Sequence, residues 1–171
     1  GTSLLSGSNL VSSNLNNDSA FDSYLKSDQL VIIYQAPQNM FTCTGQKVKG
    51  PIKTATTHSK GWYVIERYYI NKVSGKDEAN LNCSDAMFIA TGEIVPQTYE
   101  STTISAVNTL TGSYATNPGE MIAKNVEYMR VQLIVRNNNG STRTLGIDEY
   151  NNIAITASVK HRPAVIGINL G

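Results

Sequence analysis

Three runs of β-branched and aromatic residues constrain this chain most: Leu30–Tyr34, Trp62–Ile70 and Val126–Val135. Residues of these types favour a pleated, half-buried surface. The first run, Leu30-Val31-Ile32-Ile33-Tyr34, is continuously apolar, predicts a strand covered on both faces, and is ended by Pro37. In the second, alternation places Trp62, Val64, Glu66, Tyr68 and Ile70 on one face and Tyr63, Ile65, Arg67 and Tyr69 on the other. In the third, Glu127, Met129, Val131, Leu133 and Val135 form the more apolar set and should face the core. Asn139-Gly140 then predicts a hairpin with Ser141–Ile147 as the returning strand.

Weaker signals fill the intervals. Residues 37–61 read as loop, with Val48 in a short edge strand. Ala86–Ala90, Glu93–Val95 and Thr102–Val107 read as short strands, and the setting of Cys83 as turn-rich. Pro118–Asn125 reads as a turn into a short helical piece. Asp148–Asn152 reads as a turn, Ile153–Ala157 as a strand or short helix, and Pro163–Leu170 as a last apolar strand. Leu4, Val11 and Leu15 keep a helical spacing in a stretch poor in helix formers, which suits the distal end of a longer helix. The opening Gly1-Thr2-Ser3 reads as a cloning or processing remnant. The expected fold class is α+β: an antiparallel or mixed sheet with a truncated N-terminal helix, divided into residues 1–15 (helix end) and 16–171 (β-rich head).

Charge narrows the function. Fourteen basic residues against 13 acidic ones leave a net charge of +1, without the basic excess of a nucleic-acid module. Ser, Thr and Asn together supply 49 of the 171 residues, so polarity is carried by uncharged side chains, which suits an outward-facing or secreted domain. No stretch of apolar residues is long enough to span a membrane.

Cys43 and Cys83 are the two thiols. A disulfide between them is the favoured reading and would indicate an oxidising compartment; two unrelated thiols are the alternative. Zinc is weakly signalled, because His58 and His161 lie far from both cysteines in sequence. No hydrolase, metalloprotease, phosphate-loop or dinucleotide motif occurs, and no cofactor is expected. The acidic pairs Asp77-Glu78 and Asp148-Glu149 read as solvated turn residues. Tyr63, Tyr68, Tyr69, Tyr99, Tyr114 and Tyr128 either pack half-buried on the sheet or line a carbohydrate or peptide groove. Glu66 and Arg67 are candidates for cross-strand pairing or for contact with a partner protein, and His161 and Arg162, in a basic turn, for partner contact.

The run Ser27–Pro37 resembles the start of the globular part of PilW-type minor pilins, the type IV pilus assembly proteins related to J-class pseudopilins of type II secretion. The likeness continues through Met40–Gly45, Tyr63–Ile70, Leu81–Cys83, Asn125–Gln132 and Ala164–Leu170, about a third of the chain. It implies a pilin-like fold, a preceding hydrophobic helix anchored in the inner membrane, and a head in the periplasm or at the pilus tip of a Gram-negative bacterium. It also implies a Cys43–Cys83 disulfide and a non-enzymatic role in initiating pilus assembly. Other minor pilins would be partners, with the major pilin as a further one. A J-class pseudopilin and a secreted adhesin or glycan-binding module are the alternatives.

Overall fold

The structure, a computed structural model, describes residues 13–14, 27–72, 76, 78–89, 92–96, 98–100, 104–106, 119–136, 139–156 and 163–171. It is mainly β. The strands are β1 (Ser13–Asn14), β2 (Asp28–Gln35), β3 (Met40–Phe41), β4 (Lys47–Val48), β5 (Tyr63–Lys72), β6 (Ala79–Phe88), β7 (Ile94–Pro96), β8 (Ile104–Ala106), β9 (Glu120–Lys124), β10 (Met129–Arg136), β11 (Thr142–Gly146) and β12 (Pro163–Leu170). The one helix among the described residues is α1 (Ile147–Thr156).

The described strands form a five-stranded sheet in the order β1-β2-β5-β6-β9, a three-stranded sheet in the order β11-β10-β12, and the small pairs β3-β4 and β7-β8. The pairings β1–β2, β10–β11, β10–β12, β3–β4 and β7–β8 are antiparallel. The chain divides into two compact units. The described residues of the first fall within Val31–Arg67 and Cys83–Ile122; those of the second fall within Val11–Leu30, Tyr68–Asn82 and Ala123–Gly171.

In the first unit, alternation along β5 sorts two apolar clusters. Trp62 and Val64 pack with Ala36, Val48, Ile89 and Val95, joined by Tyr34, Met40 and Met87. Ile65, on the other face, packs with Ala86, Val31 and Phe88, where Tyr63 stacks on Phe88 at 5.1 Å. The buried Trp62 indole donates to the Pro96 carbonyl at 2.6 Å, so the largest core side chain leaves no polar atom unpaired. Val48 is fully buried, and its small strand β4 lies over this core.

In the second unit, Met129, Val131, Leu133 and Val135 of β10 are buried, as the alternation requires. Glu127, assigned to the same face, lies before the strand and is exposed. Ile168 and Leu170 of β12 stand opposite Val131 and Met129, yet are 52% and 44% exposed. β12 is, like β11, an outer strand of this sheet, and the core that covers β10 does not extend over its Ile168–Leu170 end. Gly140, at φ 83°, makes the hairpin turn into β11.

Several expectations are corrected. Among the described residues the expected sheet is present, mainly antiparallel, with one short helix, so what is shown is a mainly β fold; the N-terminal helix of the α+β expectation falls largely outside them. Ser13–Asn14 form β1, paired with Gln29 and Asp28, where the end of a helix was expected; the rest of residues 1–15 lies outside the described residues. β2 is not covered along its whole length on both faces, since Ile33 is 55% exposed. Cys83 lies not in a turn but within the ten-residue β6, whose Asn82, Ser84 and Asp85 are buried. Glu120–Lys124 is a strand rather than a helical piece, bounded by Gly119 at φ 76° and Asn125 at φ 55°. Asp148–Asn152 belongs to α1, whose start is capped by Glu149: its carboxylate accepts the Gly146 N–H at 2.8 Å.

Candidate functional site

The disulfide Cys43–Cys83 is formed, with Cα atoms 6.2 Å apart. It joins the turn after β3 to the middle of β6, closing a sequence separation of 40. Cys83 is wholly buried, and alternation sets Cys83, Asp85 and Met87 on one face of β6. That face carries the Trp62–Val64 cluster, to which Met87 belongs.

Two buried carboxylates hold the same turn. Glu66, 4% exposed, accepts the Cys43 N–H at 2.7 Å. Asp85, 2% exposed, accepts the Thr44 hydroxyl at 2.6 Å on one oxygen and the Gln46 amide at 3.0 Å on the other. Within the turn, Thr42 closes the loop on itself, its hydroxyl oxygen accepting the Gln46 N–H at 3.0 Å. Gly45 takes φ 84°, which a side chain would resist. Charged acceptors in a low-dielectric setting make stronger hydrogen bonds than neutral ones. Tyr34 completes the cluster. Its hydroxyl is pushed up to about 12, first by burial, then by the charge of Glu66 and a hydrogen bond to it, and last by Asp85. The phenol therefore stays neutral at physiological pH.

Of the candidates read from sequence, the structure brings together Cys43, Cys83 and Glu66. Arg67 follows Glu66 on β5 and is half-buried on the opposite face. His161 and Arg162 lie outside the described residues. His58 is exposed in the 53–58 bridge. Glu78 is exposed and 3.9 Å from Lys76, while Asp77 lies outside the described residues. Tyr69 is buried in its unit, and Tyr99 carries Lys47 and Lys49 over its ring at 5.1 and 5.4 Å. Tyr114 lies outside the described residues. Asp85, Thr44, Gln46 and Tyr34 were not anticipated. The signal for Asp85 was its place two residues after Cys83, hence on the same strand face.

The second unit has a cleft of about 460 Å³, lined by Asp28, Arg130, Val131, Gln132, residues 144–147, Asp148 and Glu149. Asp28 lies at its wall, 4% exposed. Burial raises the Asp28 carboxyl above the ordinary value of 3.8. The Val131 N–H and the Arg130 charge oppose that shift, and Asp148 adds to it. Arg130 stands 3.5 Å away, a long contact made by a partly exposed guanidinium. Three carboxylates and one guanidinium give the lining an acidic balance.

Among the described residues no group of three or more His, Cys, Asp or Glu side chains is arranged to hold a metal ion. No helix among them is long and apolar enough to cross a membrane. The class that the observed features define is a mainly β domain stapled by one disulfide. A scan against protein-family models, a search of curated proteins and a search of solved structures each give no match to this chain.

Proposed function

We propose that this chain is the globular head of a PilW-type minor pilin, a non-enzymatic subunit that helps to initiate type IV pilus assembly with other minor pilins. The observation that carries the proposal is the Cys43–Cys83 disulfide, the pairing that the family resemblance implies. The crosslink also favours an oxidising compartment, in keeping with a head displayed on the periplasmic side of the inner membrane and then at the pilus tip. The turn at residues 42–46 is fastened at four points: the disulfide and the hydrogen bonds of Cys43, Thr44 and Gln46. A subunit that must present a fixed surface to its neighbours benefits from such rigidity, because ordering is completed before association.

The test is deletion of the gene with complementation, scoring surface pili and secreted protein together. Loss of pili, restored by the wild-type gene, supports the proposal. Loss of secretion with intact pili assigns the chain to the J-class pseudopilins. No effect on either overturns the proposal.

A further inference from the structure

Strand β9 is one of the two outer strands, with β1, of the five-stranded sheet among the described residues. An outer strand leaves a row of peptide N–H and C=O groups that a further strand can take up, and proteins usually guard such an edge with charge, proline or a bulge. β9 reads Glu120-Met121-Ile122-Ala123-Lys124. Met121 is 45% exposed and Ile122 44%. Successive side chains point to opposite faces, so this edge shows apolar surface on both. Its two charges, Glu120 and Lys124, are exposed, opposite in sign and at opposite ends of the strand.

That arrangement is self-complementary in one orientation only. When two copies of β9 meet antiparallel about Ile122, Glu120 of each faces Lys124 of the other, and Ile122 faces Ile122. Met121 and Ala123 face each other on the reverse side. Glu120, Ile122 and Lys124 share a face, so the apolar contact is flanked by an ion pair at both ends. Parallel pairing would set glutamate against glutamate and lysine against lysine, and a one-residue slip would set one charge opposite an apolar side chain (Ala123 or Met121) and the other past the end of the partner strand. Directly opposed unlike charges stabilise a strand pair, and like charges destabilise it. Gly119 and Asn125, both at positive φ, turn the backbone out of the extended form at the two ends and confine the ladder to five residues.

We infer that β9 is a dimerisation edge whose occupant is a second copy of this chain, joined antiparallel about Ile122 in a two-fold pair. The inference does not rest on the pilus reading. In a two-fold interface every substitution acts twice. Sedimentation equilibrium of the purified chain from micromolar to millimolar concentration tests it, with circular dichroism as a check on folding. Glu120→Lys alone, or Lys124→Glu alone, weakens self-association about tenfold by opposing like charges at both ends. The double exchange Glu120→Lys with Lys124→Glu restores it to within about threefold of the wild type, because the pairs re-form with their signs reversed. Ile122→Lys weakens it further than either single charge reversal. A chain that stays monomeric throughout overturns the inference. So does a dimer whose strength is the same in the Glu120→Lys variant and the double exchange.

Discussion

The Asp28 carboxylate accepts the backbone N–H of Val131 at 2.8 Å, across 103 positions of sequence. β11 pairs with β10 only from Gln132 onward, so Met129 and Val131 lie beyond its reach. Tyr128 exchanges hydrogen bonds with Gly171, the residue after β12, and alternation from that pair into β10 turns the Met129 and Val131 N–H groups away from β12. On that vacated side Ser27 takes the Met129 N–H at 3.3 Å, and Asp28 takes that of Val131. Two side chains thus replace a missing strand, and a buried amide that would cost free energy if left bare is satisfied.

Asp28 therefore acts as an acceptor, and its charge is a burden. Its carboxyl is raised above 3.8 chiefly by burial, so the fold holds this proton more tightly than the unfolded chain does. Between 3.8 and the raised value, stability contributed by this group falls as pH rises. Asp28→Asn keeps an acceptor without the charge and is expected to match or exceed the wild type at neutral pH, with the difference shrinking on acidification. Asp28→Ala leaves Val131 unpaired and should cost about 1–3 kcal/mol. Urea unfolding at several pH values from mildly acid to neutral separates the two variants. An Asn variant as damaged as the Ala variant would show that the charge itself stabilises.

A second pH dependence belongs to Tyr34. Its proton leaves at about 10 in the unfolded chain and at about 12 in the fold. Between those values the native state keeps a proton that the unfolded state has released, so stability declines as pH climbs through the interval. The ring is partly exposed, and after solvent screening the effect should be about 1 kcal/mol. Tyr34→Phe should remove this part of the alkaline decline. The check is the difference between the two proteins in tyrosinate absorbance and in alkaline unfolding.

The strands easiest to read were those whose own residues favour extension. Leu30–Tyr34, Tyr63–Ile70 and Met129–Val135 combine β-branched or aromatic side chains with alternation, and each became the core of a long strand. β6 was largely hidden because Asn80, Asn82, Ser84 and Asp85 are poor strand formers. They are held there by position in the sheet and by bonds such as Thr44 to Asp85. β9 was misread because Met121, Ala123 and Lys124 suit a helix locally, and pairing in the sheet overrode that preference. Glu66 and the cysteines were visible as residues, but their meeting depends on how distant strands register. Asp28 as a ladder cap was illegible for the same reason, since its partner is fixed by where β11 stops.

The disulfide and the carboxylates hold one turn, so their effects should be coupled. Removing the crosslink by Cys43→Ser with Cys83→Ala frees a loop of 40 residues in the unfolded chain. On the chain-entropy relation this lowers stability by about 4 kcal/mol. Asp85→Ala leaves the Thr44 hydroxyl and Gln46 amide without their acceptor and should cost about 2 kcal/mol. In the crosslink-free background the turn can lift to reach water, so the Asp85 substitution should cost at least 0.5 kcal/mol less there, as an order of magnitude for coupled neighbours. A double-mutant cycle by urea unfolding measures this directly. Strict additivity would mean that the turn stays seated without its sulfur bond.

Two glycines test close approach against backbone strain. Gly61 lies where the chain enters β5, and a methyl group placed there would run into the Ala36 carbonyl oxygen. Ala36 cannot easily retreat, because its N–H donates to the Trp62 carbonyl at 2.8 Å. The Gln35 side-chain amide also donates to the Gly61 carbonyl, at 3.2 Å. Pro51 adds a further wall at 3.3 Å. Gly61→Ala must therefore push β2 and β5 apart beside the Trp62 core and should cost about 3 kcal/mol. Gly92 faces open space, but its φ of 82° is unfavourable for any other residue, so Gly92→Ala should cost about 1 kcal/mol from backbone strain alone. Thermal unfolding of the two variants should rank Gly61→Ala as the more destabilised. The reverse order would show that the β2–β5 contact yields more readily than a single left-handed turn.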